Sequence, residues 1–160
     1  MKDNLDRVVP IGELPDYEVA EGNPDVRGWE VRGSDGQVIG EVDDLLIDTG
    51  AMKVRYLDVD LDNDIAPGGE DRHILLPIGY ARLDREEDCV HVDELRSTEL
   101  ANLPLYDHTP LSREYEHELR GRFDREYSGL HADPNFYASD LYDADRFYSP
   151  RRESKGNPLA

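Results

Sequence analysis

Carboxylates and imidazoles are the side chains in this sequence that could hold a metal ion or carry acid–base chemistry. Asp and Glu together number 37 among 160 residues, against five histidines. Three aspartates alternate at Asp58, Asp60 and Asp62, which is how a calcium loop begins. That loop also requires Gly at its sixth position and Glu at its twelfth. Counting from Asp58 places Asn63 and Gly69 there, and counting from Asp60 fails as well, so we predict no calcium site.

The other potential nucleophiles and metal ligands form no recognised constellation. No two histidines have the His-x-x-x-His spacing of a helical zinc pair. His91 and Asp93 share one face of a predicted strand, and we interpret them as a surface pair rather than two ligands of a cation. The serines lack the context of a nucleophile elbow. We therefore predict no catalytic residue, no cofactor, no metal site and no enzymatic activity.

Charge and composition narrow the possible partners and the location. The net charge is −19 and the isoelectric point about 4.4, which disfavours nucleic acid because a polyanion binds clustered Lys and Arg. The sequence contains no run of about 18 apolar residues, so we predict no membrane-spanning helix. Residues 1–7 lack the apolar region of a signal peptide. We expect a cytoplasmic protein, or one peripheral to the inner membrane. Cys89 is the single cysteine, so no intrachain disulfide is possible, and we expect it to fill a small space in the core.

The middle of the chain has the pattern of β-strands. A turn at Ser34-Asp35-Gly36 separates two runs rich in β-branched residues. Further along, Leu57, Val59 and Leu61 alternate with the three aspartates, which predicts a half-buried strand with an acidic outer face. Residues 73–78 are apolar on both faces and residues 89–93 form the last clear strand. Residues predicted to be buried are Leu57, Val59, Leu76, Ile78, Val90 and Val92.

A helix is predicted over residues 110–127, with Thr109 as its N-cap and Pro110 in the first helical position. One apolar stripe should dock on the strands; it contains Leu111, Tyr115, Leu119 and Phe123. The opposite face is predicted to be solvated; it contains Glu114, Glu116, Glu118, Arg120, Arg122 and Asp124.

The last 33 residues are acidic and contain scattered aromatic side chains. Their low hydrophobicity predicts a disordered, solvating tail. The alternative is a tail whose aromatic residues anchor it to a partner or to its own barrel.

An ordered series of segments resembles the PRC-barrel family, the small β-barrel named after the cytoplasmic domain of the photosynthetic reaction centre H subunit. The series runs from about Arg7 to Phe123. Its segments are Gly22-Asn23-Pro24-Asp25-Val26-Arg27-Gly28, Gly36 through Asp48, Arg55-Tyr56-Leu57-Asp58-Val59, Leu75-Leu76-Pro77-Ile78 and Leu100-Ala101-Asn102-Leu103-Pro104.

This resemblance implies a mainly β fold, namely a small antiparallel PRC-type barrel with a C-terminal helix and extended N- and C-terminal arms. We expect five to six strands over residues 27–95. We divide the chain into an N-terminal arm (1–26), a barrel domain (27–109), a packing helix (110–127) and an acidic aromatic tail (128–160).

The resemblance also implies a role for two residues. Asp48 matches an acid, and Arg55 an arginine, of a relay that delivers protons toward quinone in the H subunit. A second acid of that relay falls at Ala51, which carries no proton, so the relay is incomplete. Because PRC-barrels also serve as protein-binding modules, we favour a non-catalytic binding or assembly function. The alternative is an accessory subunit for electron and proton transfer in the photosynthetic light reaction, beside a membrane complex.

We expect a protein partner, with a membrane complex as one candidate, and a homo-oligomer, most simply a dimer. Apolar and aromatic side chains of residues 103–106 and of the tail should supply the binding surface. These residues are Leu103, Leu105, Tyr106, Phe136, Tyr137, Tyr142, Phe147 and Tyr148.

Overall fold

The computed structural model describes residues 8–13, 24–62, 72–95, 103–124 and 136–148. The rest of the predicted N-terminal arm and of the tail lies outside the described residues, as do residues 63–71 and 96–102. No helix among the described residues is long and apolar enough to cross a membrane.

The described chain folds into one strongly curled sheet. Its strands are β1 (Val8–Pro10), β2 (Glu30–Arg32), β3 (Val38–Asp48), β4 (Lys53–Leu61), β5 (His73–Pro77), β6 (Arg82–Asp84) and β7 (Cys89–His91). The spatial order is β5-β4-β3-β2-β7-β6, and β1 pairs with β3. All pairs are antiparallel except β2 with β7, so the sheet is mixed. The expected mainly β, barrel-like fold is thus confirmed, with six strands over residues 27–95 as predicted, and β1 adds a seventh from outside that range.

Two apolar clusters lie on opposite faces of β3, β4 and β5. The inner cluster fills the barrel, and all six residues predicted to be buried are 0% exposed and belong to it. The outer cluster includes Leu46, Tyr56, Leu75 and Leu119. Both faces of the central strands are therefore covered, as in a sheet packed between two layers.

Helix α1 (Arg113–Phe123) covers part of the outer face. Leu119 is fully buried, and Leu111, Tyr115 and Phe123 are partly buried against the clusters, which confirms the predicted stripe. The predicted N-cap is wrong by three residues, because Ser112 caps the helix and its Oγ accepts a hydrogen bond from the Tyr115 amide at 3.0 Å.

Residues 136–148 fold back onto the chain's own barrel, which is one of the arrangements that the sequence left open. They form two short 3-10 turns (Phe136–Ala138 and Asp140–Tyr142) and helix α2 (Ala144–Tyr148); we call them the tail segment. Phe136 and Tyr142 join the outer cluster, whereas Phe147 and Tyr148 join the inner one. Gly79 makes this docking possible, because a Cβ there would collide with the carbonyl oxygen of Asp140.

Because α1 and the tail segment cover the outer face, some residues that were predicted to face water are buried. Asp58 is only 1% exposed and Glu116 is fully buried, although both were predicted to face water. Arg120 is buried as well, whereas Asp62 is exposed as predicted. These polar side chains are buried because other elements cover them and supply hydrogen-bond partners.

Candidate functional site

The predicted relay residues form an ion pair where the β3–β4 hairpin turns. Arg55 Nε donates to Asp48 Oδ2 at 3.1 Å, and both side chains are about nine-tenths buried. Asp48 Oδ1 accepts from the amides of Gly50 and Ala51. The guanidinium also donates to the Tyr142 carbonyl at 3.1 Å. Asp48 therefore holds the turn and, through Arg55, the tail segment.

We expect Asp48→Asn to lower the free energy of unfolding by about 2 kcal/mol, the value of a hydrogen bond to a charged group. The amide oxygen of Asn still accepts from the turn, whereas the charge that faces Arg55 is lost. Urea denaturation measures the change as a lower midpoint with an unchanged slope. Asp62→Asn, at the exposed residue that follows β4, is the matched control. Equal effects of the two substitutions would contradict a structural role for the buried pair.

A second buried polar group lies between β4, α1 and the tail segment. Tyr56 Oη donates to Glu116 Oε1 at 2.8 Å and lies 3.3 Å from the hydroxyl of Tyr142. The hydroxyl of Tyr137 donates to the same Glu116 oxygen. Burial, followed by the charge of Glu116, raises the pKa of Tyr56 well above its usual 10.0. One carboxylate thus joins the sheet, the helix and the tail segment.

This shifted pKa predicts alkaline destabilisation. Above pH 10 the unfolded chain loses the Tyr56 proton while the folded chain keeps it, so the unfolded state binds fewer protons and stability falls as pH rises. The contribution of Tyr56 is about 1.4 kcal/mol per pH unit. Unfolding free energies at pH 8, 10 and 11 measure it, and Tyr56→Phe should reduce the slope by that amount. An unchanged slope in the variant would be evidence against this origin.

A groove opens where the tail segment meets residues 79–82, with a cavity volume of about 380 Å³. Three parts of the chain build it: residues 79–82 with 93–94, the last residue of α1, and the tail segment. The rings of Tyr80 and Phe123 meet edge to face with centroids 4.5 Å apart. Arg82 forms a forked ion pair with Asp93 at 2.6 and 3.1 Å. The groove therefore combines an aromatic pair with a charged rim.

The residues predicted to bind a partner are mostly buried within this chain. Leu103, Tyr106, Phe136, Tyr142, Phe147 and Tyr148 belong to the two clusters. Tyr137 is partly buried beneath the Arg55 guanidinium, and Leu105 is 47% exposed. Among the predicted binding residues in the described structure, Leu105 is thus the side chain most accessible to a partner.

Among the residues that the structure describes, two clusters of His, Asp and Cys side chains could hold a metal ion, namely Asp43-Asp58-His73-His108 and Asp84-Cys89-His91. Cys89 is buried, as expected. The predicted pairing of His91 with Asp93 is wrong. His91 lies 3.0 Å from Asp84 and Asp93 binds Arg82, because β6 runs antiparallel beside β7 and supplies both partners.

Sequence reasoning missed the groove, Glu116 and the first of these clusters. Glu116 had a usable signal, since a position three residues before Leu119 lies about 60° from it around a helix. The cluster had none, because its ligands are separated by many residues and meet only through tertiary structure.

A comparison with known protein families matches residues 18–107, more than half of the chain, to the PRC-barrel domain. The matched segment contains all the strands except β1, in agreement with the curled sheet. The chain belongs to the PRC-barrel domain family.

Proposed function

We propose that this protein is a non-catalytic binding and assembly module, because PRC-barrels also serve as protein-binding modules, and that a protein partner docks in the groove. The observation that carries this proposal is that the barrel, α1 and the tail segment jointly build one concave surface. A concave site with aromatic and a few polar side chains is typical of a recognition site.

The buried ionisable groups support a structural rather than a catalytic reading. Asp48 is held by Arg55 and two turn amides, and Glu116 by two phenols. Each contact fixes one element against another. A catalytic acid or base instead needs to lie within hydrogen-bond reach of a substrate, whereas neither carboxylate lines the groove.

The partner we expect is a protein segment with an apolar side chain next to basic residues. Tyr80 and Phe123 offer the apolar contact. The rim carries three acids against two arginines, namely Asp93, Glu94, Asp140, Arg82 and Arg146. With a net charge of −19 behind it, this rim favours a positively charged partner and gives an association that weakens as salt rises.

Photo-crosslinking in the native cell tests the proposal. Benzoylphenylalanine replaces Tyr80 in the groove in one strain and Glu114, on the exposed start of α1, in a matched strain. We expect one protein to be captured from position 80 and not from position 114, with a yield that falls as salt rises in lysates. No capture from position 80, or equal capture from both positions, would overturn the groove as the docking site.

Accessory proton transfer to quinone has weaker support. Asp48, the acid that matches the relay, is occupied on both oxygens, and Ala51 stands where the second acid would be needed. No contact in the described residues favours this alternative.

We also propose self-association as a dimer. In the structure the tail segment packs on the barrel of its own chain. The dimer consistent with this packing is a domain-swapped one, in which each tail makes those same contacts on the barrel of the other chain. The −19 charge opposes association, so dimers should increase as salt rises through about 1 M, where the Debye length is about 3 Å. Sedimentation of the full chain and of a chain ending at Tyr127, each at low and high salt, decides this. Monomers in all four samples would exclude the dimer.

A further inference from the structure

Four possible metal ligands converge at one edge of the outer face, and each comes from a different part of the chain. Asp43 lies in β3, Asp58 in β4, His73 in β5 and His108 in the segment before α1. One donor atom from each lies within 4.8 Å of the other three. Since the four are far apart in sequence, folding alone assembles the cluster.

The spacing suits a small tetrahedral cation. Donors about 2.0–2.1 Å from a tetrahedral zinc ion lie roughly 3.3 Å from one another. His108 Nε2 is 3.3 Å from Asp58 Oδ2, and His73 Nδ1 is 2.7 Å from Asp58 Oδ1. These two distances use the two different oxygens of Asp58, and the four donors lie within 4.8 Å of one another. A single tetrahedral ion would therefore draw the donors inward by up to about 1 Å.

The backbone aims two of the ligands at this point. Asp43 is the extra residue of a β-bulge, because Val42 pairs with Val59 and Asp44 with Asp58. Bulges redirect side chains and are common beside functional sites. The bulge gives β3 an additional carboxylate directly opposite Asp58.

His108 has a positive φ of 70°, which is uncommon for a residue other than glycine. Its ring packs edge to face on His73 with centroids 4.5 Å apart, and against Tyr106 at 4.7 Å. The Tyr106 amide donates to the His73 carbonyl at 2.8 Å. The segment that carries His108 is therefore fixed to β5 with the imidazole facing Asp58.

The charges balance for a divalent ion. Two carboxylates and two neutral imidazoles offset a charge of +2, so Asp58, at 1% exposure, would be neutralised where water cannot solvate it. Two nitrogen and two oxygen donors suit zinc and similar transition metals, whereas calcium and magnesium take oxygen ligands.

We propose that Asp43, Asp58, His73 and His108 form a binding site for a divalent transition metal of the zinc class. The ion ties the segment before α1 to three strands, so its role is structural. This site is separate from the groove, since none of its four residues lines that cavity, and it stands whether or not a partner docks there. This proposal differs from our sequence-based prediction, which rested on the histidine spacing and gave no metal site.

Calorimetric titration of the full chain with Zn²⁺ tests the site, and Co²⁺ serves as a spectroscopic probe of tetrahedral ligation. Asp43→Asn and His108→Gln change exposed ligands, half-exposed in the case of His108, so the variants should fold. We expect each to weaken Zn²⁺ binding by about tenfold or more. Zn²⁺ should also raise the Tm of the unaltered protein, EDTA should reverse this, and Mg²⁺ should not reproduce it.

Two control variants separate this site from other surfaces. Glu41→Gln changes an exposed acid in β3, the strand that carries Asp43. His91→Gln changes the histidine of the second cluster. Both should bind Zn²⁺ as the unaltered protein does. The proposal fails if the unaltered protein binds Zn²⁺ no more tightly than the Asp43→Asn and His108→Gln variants, or if His91→Gln is the change that removes binding. In either case the cluster is a hydrogen-bonded group without a metal.

Discussion

A chain ending at Tyr127 is expected to lose about 3–5 kcal/mol of unfolding free energy, the cost of emptying the site of a large buried aromatic residue. Phe136, Tyr142 and Phe147 are at most 1% exposed, and all three leave with the tail segment. The expected loss in unfolding free energy is smaller than the sum for three such sites. The shortened chain also avoids the conformational-entropy cost of ordering the tail on folding.

Urea denaturation of two shortened chains measures this effect. A chain ending at Tyr148 retains every described contact and should unfold at the same midpoint as the full chain. The chain ending at Tyr127 should unfold at a lower urea concentration. Equal midpoints for the two shortened chains would mean that the tail segment contributes nothing to stability.

Glu116→Ala should destabilise the protein by about 4 kcal/mol. Alanine removes the acceptor of two phenolic hydroxyls, of which Tyr56 is fully buried, and a buried unsatisfied donor costs about 1–3 kcal/mol. The missing side chain also leaves a cavity between α1 and β4.

The exposed Glu114 on the same helix provides the matched control. Glu114→Ala should change stability by less than about 0.5 kcal/mol, and Glu116→Gln, which keeps one acceptor, should lie between the two. Thermal or urea unfolding of the three variants measures this order. If Glu114→Ala and Glu116→Ala cost the same, the carboxylate does not hold the three elements together.

The sequence predicted the inner core and the apolar stripe of α1, but it missed the polar side chains buried on the outer face, for a physical reason. Alternation along β4 predicted which face carries Leu57 and Val59, and both are fully buried. The same alternation assigned Asp58 to water. A period of two separates the faces of a strand, but it cannot tell whether a distant segment covers the polar one.

The candidate sites were less predictable than the fold because they depend on contacts between distant parts of the chain. The Asp48–Arg55 pair came from a family resemblance over a single hairpin, and the structure brings the two residues together. The groove and the His–Asp cluster each require α1, the segment before it or the tail segment to be in place. Low hydrophobicity predicted a disordered tail. Average composition carries no information on whether a few aromatic side chains have buried sites to occupy on the folded barrel.

The late position of the tail segment affects how this protein is made. Tyr142, which covers the outer face of β4, follows Tyr56 by 86 residues, so a ribosome adding 5–20 residues per second supplies it about 4–17 s later. During that interval the apolar outer side of β3, β4 and β5 has no cover from the tail. A nascent chain in this state offers a surface to chaperones or to a second nascent copy, and pairing with a copy at this stage is a direct route to exchanged tails.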